Sequence, residues 1–463
     1  MDGPTGRLHE VDPPTVRLRT VANDTVRVGP ARPGPEVQGS KGSGDQGLHD
    51  GIALSLASVI GSVAGLLSWV IATRLVDTAQ VGQASQVVSA FILVAGAAQL
   101  NLGVGIMRWL PAAGRWTGRL VWSSLLLIMP LSGLLGLVYV LFLPDLARTA
   151  AGDGPVGWGV LLIVLATAGW GVFVVHDFTL VAIGKPWWAV WRNALFAVVR
   201  IGLMIALGLM GLGAQGIVLS WVGPIVVWVV IGSLVLLVLT RRVSRNAGGG
   251  VLPSRADAFR FLGPTSLGHI GSTVLFNQVT VLATERFGDA TGAKFFMVWQ
   301  AVTVVDITAT FFMNSLAVGV AREPHRAAEL AAATRRRLLM FFLPMLAVGA
   351  LVAEPALRLV FGPEYAEAAD VLRILMLGLA FRLVVVHELG VLQSAGKAWA
   401  YARLQLVSTV LVMVVVIVVP VGAGNVEALV PVAIGYVVVQ AACAVAVLFF
   451  PGRRRADAEV RSP

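Results

Sequence analysis

The chain has one cysteine, Cys443, in 463 residues. An intrachain disulfide and a cysteine-built metal cluster are therefore excluded. Charge is scarce too: 13% of residues are Asp, Glu, Lys or Arg, about half the share of an ordinary soluble domain. There is no Gly-rich phosphate loop and no Ser/His/Asp set placed in a loop. The segments between apolar runs are too short to hold a catalytic domain, so no enzyme, no cofactor and no metal site is expected. A net charge of +10 would suit nucleic acid, but the basic residues sit in short segments between apolar runs. There they orient a membrane protein, and no nucleic-acid partner is expected. What the chain has in abundance is apolar sequence, 57% of all residues, in runs of roughly 20 or more that can cross a bilayer as helix.

Residues 1–49 differ from the rest. They are rich in Pro, Gly and Arg and lack an apolar run, which predicts a disordered cytoplasmic tail. The first apolar run is too long for a signal peptide. Twelve spans follow, at roughly 51–72, 83–105, 118–142, 156–178, 188–210, 214–240, 260–284, 291–317, 337–360, 369–392, 398–420 and 427–450. With both termini inside, most Lys and Arg fall on the cytoplasmic side, while Glu364 and Glu367 fall outside. The reading is a multi-pass plasma (inner) membrane protein with both termini cytoplasmic. Its parts are a bundle at 50–240, an Arg/Gly-rich cytoplasmic linker at 241–258, a second bundle at 259–450 and a tail at 451–463.

The two halves repeat. Ala72-Thr73-Arg74 matches Ala283-Thr284-Glu285, and Gly82 matches Gly292. Val104-Gly105-Ile106-Met107-Arg108 matches Val318-Gly319-Val320-Ala321-Arg322, and Gly184-Lys185-x-Trp187 matches Gly396-Lys397-x-Trp399. All four matches lie about 210 residues apart. Six spans per repeat preserve orientation, so the halves are expected to be parallel repeats about an axis along the membrane normal.

The corner at 351–375 organises the second half. An apolar helix is stopped at Phe361-Gly362-Pro363, since Gly suits a helix C-terminus and Pro cannot continue one. A short acidic turn follows, then another apolar run from Asp370. The pattern Leu357-x-Leu359-x-Phe361-Gly362-x-x-Tyr365-x-x-Ala368 resembles the polysaccharide-biosynthesis flippase family of the multidrug/oligosaccharidyl-lipid/polysaccharide transporter superfamily. Thr73-Arg74-Leu75 with Gly82 resembles that family's first outer loop. Asn101-Leu102-Gly103 through Arg108 and Pro111 resembles the end of its second helix. The resemblance spans about residues 50–450. It departs at Asp77-Thr78-Ala79-Gln80-Val81, where family members often carry Gly-Pro and an aromatic.

The resemblance implies an all-α fold of two six-helix bundles facing each other in a V, similar to multidrug and toxic compound extrusion (MATE) transporters. It also implies export of a polyprenyl-diphosphate-linked oligosaccharide by alternating access, with the bilayer, a polysaccharide polymerase and glycosyltransferases as partners. Ionisable groups deep in a span are costly and mark function by default. Arg200, Asp306 and Arg382 lie at similar depth and, together with His269 in the seventh span, are the candidate substrate-binding residues. One reading gives the arginines the substrate's diphosphate, because a guanidinium fork matches phosphate oxygens, with Asp306 balancing charge or titrating. The other is an Arg382–Asp306 ion pair that serves packing. His387-Glu388, with Asp306, could couple an ion, whereas His176-Asp177 and His387-Glu388 also fit solvated helix ends. A drug or cation antiporter of the same superfamily is the first alternative; it typically carries an acid in the first helix, and Gly51–Ala72 has none. A membrane polysaccharide polymerase or ligase is the second, although these resemble a layout with a large outer loop. The charge distribution predicts that a cysteine placed in the 363–368 corner of a Cys443→Ala chain reacts with an impermeant thiol reagent in intact cells. Reaction only after lysis would invert the topology.

Overall fold

The computed structural model describes residues 61, 63–421 and 425–449. The tails expected at 1–49 and 451–463, and the beginning of the first span, lie outside them. All regular structure among the described residues is helical. Hydrocarbon offers backbone groups no water, and a helix satisfies them within one segment.

The first bundle holds α1 (Val63–Leu75), α2 (Thr78–Ala98), α3 (Leu102–Ala113), α4 (Thr117–Phe142), α5 (Pro144–Ala151), α6 (Val156–Ala182), α7 (Pro186–Leu209) and α8 (Gly213–Asn246). The second holds α9 (Arg255–Thr273), a π-turn (Val274–Gln278), α10 (Val279–Phe287), α11 (Asp289–Arg322), α12 (Ala327–Leu351), α13 (Ala353–Val360), α14 (Ala369–Ser394), α15 (Ala398–Val418) and α16 (Val430–Phe449). Seven helical stretches among the described residues are long and apolar enough to cross a membrane by themselves. The helices α9, α11 and α14 stand outside that group and carry charged residues, among them Arg260, Asp306 and Arg382. They pack against other helices, α9 on α15, and α11 on α14 and α2. A face turned to protein need not be apolar.

The chain departs from the expected spans in three places. The second span breaks at Leu100 and Asn101, both in the left-handed region (φ 48° and 52°), and Ser266 Oγ of α9 donates to the Leu100 carbonyl at 2.6 Å. The helix α8 continues through Asn246, leaving 247–254 as the non-helical stretch between bundles. The helices α12 and α13 meet at a 73° bend.

The repeat is visible in backbone detail. Gly184 and Gly396 end α6 and α14 at φ 73° and 70°. Lys185 N donates to the Leu180 carbonyl and Lys397 N to the Leu392 carbonyl, each at 2.8 Å. Only a residue tolerant of positive φ closes a helix this way.

The bundles meet along α2, which packs against α6 and α8 on one side and α9, α10 and α11 on the other. Gln83 Nε2 donates to Asp289 Oδ2 at 2.7 Å, Gln86 Nε2 to Glu285 at 3.0 Å, and Thr280 Oγ1 to Ser89 Oγ at 3.0 Å. At the same end Arg74 donates to the Leu359 carbonyl at 2.5 Å, and Thr78 to Glu364. Gly82 permits the approach: a Cβ there would sit 1.9 Å from the Asp289 carbonyl oxygen. Gly82→Ala should therefore force backbone apart and cost about 1–3 kcal/mol, read as a lower melting temperature in detergent. Gly263→Ala, where an added methyl meets nothing within 4 Å, should leave the melt unchanged; equal melts for both variants would refute the close-packing account.

Candidate substrate cavity

A cavity of about 580 Å³ lies between the bundles. Its walls come from α1, α2, α6, α7 and α8 on one side and from the α9 end, the π-turn and α11 on the other. Three charged residues line it: Asp177, Arg200 and Asp306.

Arg200 projects from α7 and is 3% exposed. Its Nε donates to Ser68 Oγ at 3.1 Å, and its guanidinium lies 4.2 Å above the Trp221 ring. Among the described residues no carboxylate pairs with it. Stacking on Trp is worth about 0.5–2 kcal/mol, which offsets only part of the cost of a buried cation. Phe196 lies 5.4 Å from the guanidinium, and further rings pack in pairs, Trp69 against Phe296 at 4.7 Å and Trp170 against Trp221 at 6.0 Å between centroids. All five line the cavity.

The two acids are both held from behind by arginine. Arg382 Nε donates to Asp306 Oδ1 at 2.7 Å, and Arg382 Nη2 donates to Gln405 Oε1 at 3.2 Å. Gln405 Nε2 passes on to Thr409 Oγ1, which donates to the Gly271 carbonyl at 2.9 Å. Asp306 thus reaches the cavity while Arg382, 2% exposed, stands outside its lining. In the first bundle Arg192 Nη2 pairs with Asp177 Oδ1 at 2.7 Å, and Asn193 Nδ2 donates to Asp177 Oδ2 at 2.9 Å.

Of the other sequence candidates, His269 is half-buried on α9, outside the cavity lining. His387 is buried, its Nε2 donating to the Ala331 carbonyl at 2.9 Å, and Glu388 follows it half-buried; neither lines the cavity. The structure therefore joins Asp306 to Arg382, puts Arg200 on the facing bundle, and sets the histidines apart.

A second, apolar groove of about 360 Å³ adjoins the cavity. Leu66, Gln300 and Val304 line both spaces. From there the groove runs to Phe342 and Met345 of α12 and to Ala356, Leu357 and Val360 of α13.

Neither a family model nor a curated protein matches the chain. Solved structures do. A MOP superfamily transporter from Pyrococcus furiosus, described as having a binding pocket of reverse polarity that suggests a different function, aligns with TM-score 0.63 and 18% identity over 90% of this chain and 96% of that one. A MATE in complex with MaL6 aligns with TM-score 0.62 and 16% identity over 90% and 97%. An inward-facing multidrug resistance MATE family transporter aligns with TM-score 0.59 and 17% identity over 89% and 96%.

The fold is that of the MATE transporters. That fold has twelve membrane helices in two bundles, as the sequence leads one to expect. Within this MATE fold, Asp177 and Asn193, with Arg192 behind them, form the part of the cavity wall that sequence reasoning missed. His176-Asp177 reads as a solvated helix end, yet the α6–α7 hairpin turns over only three residues. Asp177 and Arg192 lie at nearly equal distances from that turn, so antiparallel packing sets them side by side. That equidistance is the signal that could have found them.

Removing one partner of a buried ion pair costs about 3–5 kcal/mol. Arg382→Ala and Asp306→Ala should each lower thermal stability by that order, and the double variant by less than their sum. Arg200→Ala orphans no acid and should cost less than either. Additive losses for Arg382 and Asp306 would argue against the pair.

Proposed function

We propose that the protein is an alternating-access transporter that moves a polyprenyl-diphosphate-linked oligosaccharide across the plasma membrane. The observation that carries this reading is the meeting of two unlike spaces at Leu66, Gln300 and Val304. One space is an aromatic-lined cavity that holds a cation, Arg200, with Asp177, Asn193, Asn277, Gln300 and Asp306 as further polar groups; the other is an apolar groove. An amphiphile with an anionic head and a long hydrocarbon tail matches both, head in the cavity and tail in the groove.

Charge favours an anionic cargo over a cationic drug. Asp177 and Asp306 are each neutralised by an arginine at 2.7 Å, while Arg200 has no acid partner among the described residues. The cavity therefore carries about one net positive charge. The described part of α1 contains no carboxylate, so the first helix of this chain does not supply there the acid expected of a cation antiporter. In this reading Arg200 holds the diphosphate, the surrounding Trp and Phe rings face the sugar, and Arg382 fixes Asp306 rather than touching substrate. The end of the molecule bearing Arg74, Gln83 and Glu364 faces outward and is closed. The cavity lining reaches Asp177 and Asn193 near the opposite end, which supports an inward-facing state. Transport would proceed by rocking one bundle against the other.

Deleting the gene in its host should deplete a surface glycan and accumulate its lipid-linked precursor. Arg200→Ala should insert at a normal level and fail to restore the glycan. Arg200→Lys, which keeps charge but loses the fork, should restore part of it. Full restoration by Arg200→Ala would overturn the diphosphate role.

A further inference from the structure

Away from the central cavity, a groove of about 670 Å³ runs between α6, α7 and α8. Its walls are apolar, formed by exposed Trp188, Trp191, Leu195 and Ile231. Two polar side chains stand in this lining, Arg192 and His176, and both are more than nine-tenths buried. Neither is fully used by the protein. Arg192 gives Nη2 to Asp177 and to the Phe173 carbonyl, at 2.7 and 2.8 Å, and its guanidinium lies 3.8 Å over the Phe173 ring. Its Nε and Nη1 have no acceptor among the described residues and are covered, so a ligand in the groove meets them only when the guanidinium turns toward it. His176 Nε2 lies 3.3 Å from Ser233 Oγ, and its Nδ1 has no hydrogen-bond partner among the described residues.

A buried guanidinium with two idle donors is costly in hydrocarbon, and a groove with apolar walls gives it no acceptor. We propose that this groove binds an anionic phospholipid of the bilayer, its phosphate accepting from Arg192 and its acyl chain lying between α7 and α8. Several features point to that occupant. No carboxylate lines the groove, and Asp177 turns to the central cavity instead. Arg192 lies about 9 Å along α7 from its start at Pro186, the depth at which a headgroup can meet a side chain reaching toward the interface. Lys185 precedes that helix and adds positive charge on the approach. Trp188 and Trp191 flank the groove, as Trp does at headgroup level. Basic pockets between membrane helices select anionic headgroups by this combination.

The site is distinct from the cavity of the proposed transport cycle, and its test does not depend on transport. The full chain in detergent is titrated with phosphatidylglycerol or phosphatidylcholine and the bound lipid is counted by native mass spectrometry. The wild type should retain phosphatidylglycerol at least tenfold more tightly. Arg192→Lys, which keeps the pair with Asp177, should lose most of that preference. Ile231→Trp, which fills the groove without touching the ion pair, should lower retention while leaving the melt intact. Equal retention of the two lipids by the wild type would overturn the site, as would undiminished binding by Ile231→Trp. Displacement of phosphatidylglycerol by an equimolar isoprenyl monophosphate would also overturn it, by assigning the groove to a carrier lipid.

Discussion

The cost of a bare charge in hydrocarbon governs the interior of this protein. Among the described residues three arginines lie deep among the helices, and each is answered differently: Arg382 by Asp306, Arg192 by Asp177, and Arg200 by an aromatic face and a serine hydroxyl. Because an ion pair demands that both partners stay in register, the first two fix α14 to α11 and α7 to α6. The first pair reaches further. Gln405, Thr409 and the Gly271 carbonyl carry it to α15 and α9, so four helices of the second bundle share one polar network. The unanswered charge is the one left facing the cavity.

The π-turn extends the same logic to the backbone. A π-turn breaks the regular ladder and commonly marks a functional site. Here neighbouring groups take up what the break releases. Asn277 donates to the Thr273 carbonyl at 3.0 Å and Trp299 to the Phe276 carbonyl at 3.2 Å, while Tyr139 of the first bundle donates to the Gln278 side-chain oxygen at 2.7 Å. Phe276 and Asn277 both line the cavity. The irregular backbone thus sits where the protein, and not lipid, surrounds it.

Much of this was legible in residues. The apolar runs foretold the helices, and Gly184-Lys185 and Gly396-Lys397 foretold two matching helix ends because no other residue closes them so easily. Arg200, Asp306 and Arg382 stood out because charge is rare in spans. What sequence could not rank was the direction each side chain faces. Arg382 and Arg200 share a depth but not a space, and depth is all that counting along a helix supplies. Asp177 reads as a solvated helix end for the opposite reason: near a helix end an acid is ordinarily solvated, and only tertiary packing buries it. The break at Leu100–Asn101 was hidden because neither residue is a usual helix breaker.

The polar seam along α2 sets how readily the two bundles can part. Gln83–Asp289, Gln86–Glu285 and Ser89–Thr280 are single hydrogen bonds between neutral or singly charged partners. At an average near 0.6 kcal/mol for such bonds between membrane helices, the three together hold about 2 kcal/mol. That corresponds to a population ratio of about thirty to one, within the range that a bound ligand of modest preference can invert. A seam built from leucines would knit the bundles with no such discrete, individually reversible steps. This polar part of the joint is therefore a shallow one, set a few thermal units deep.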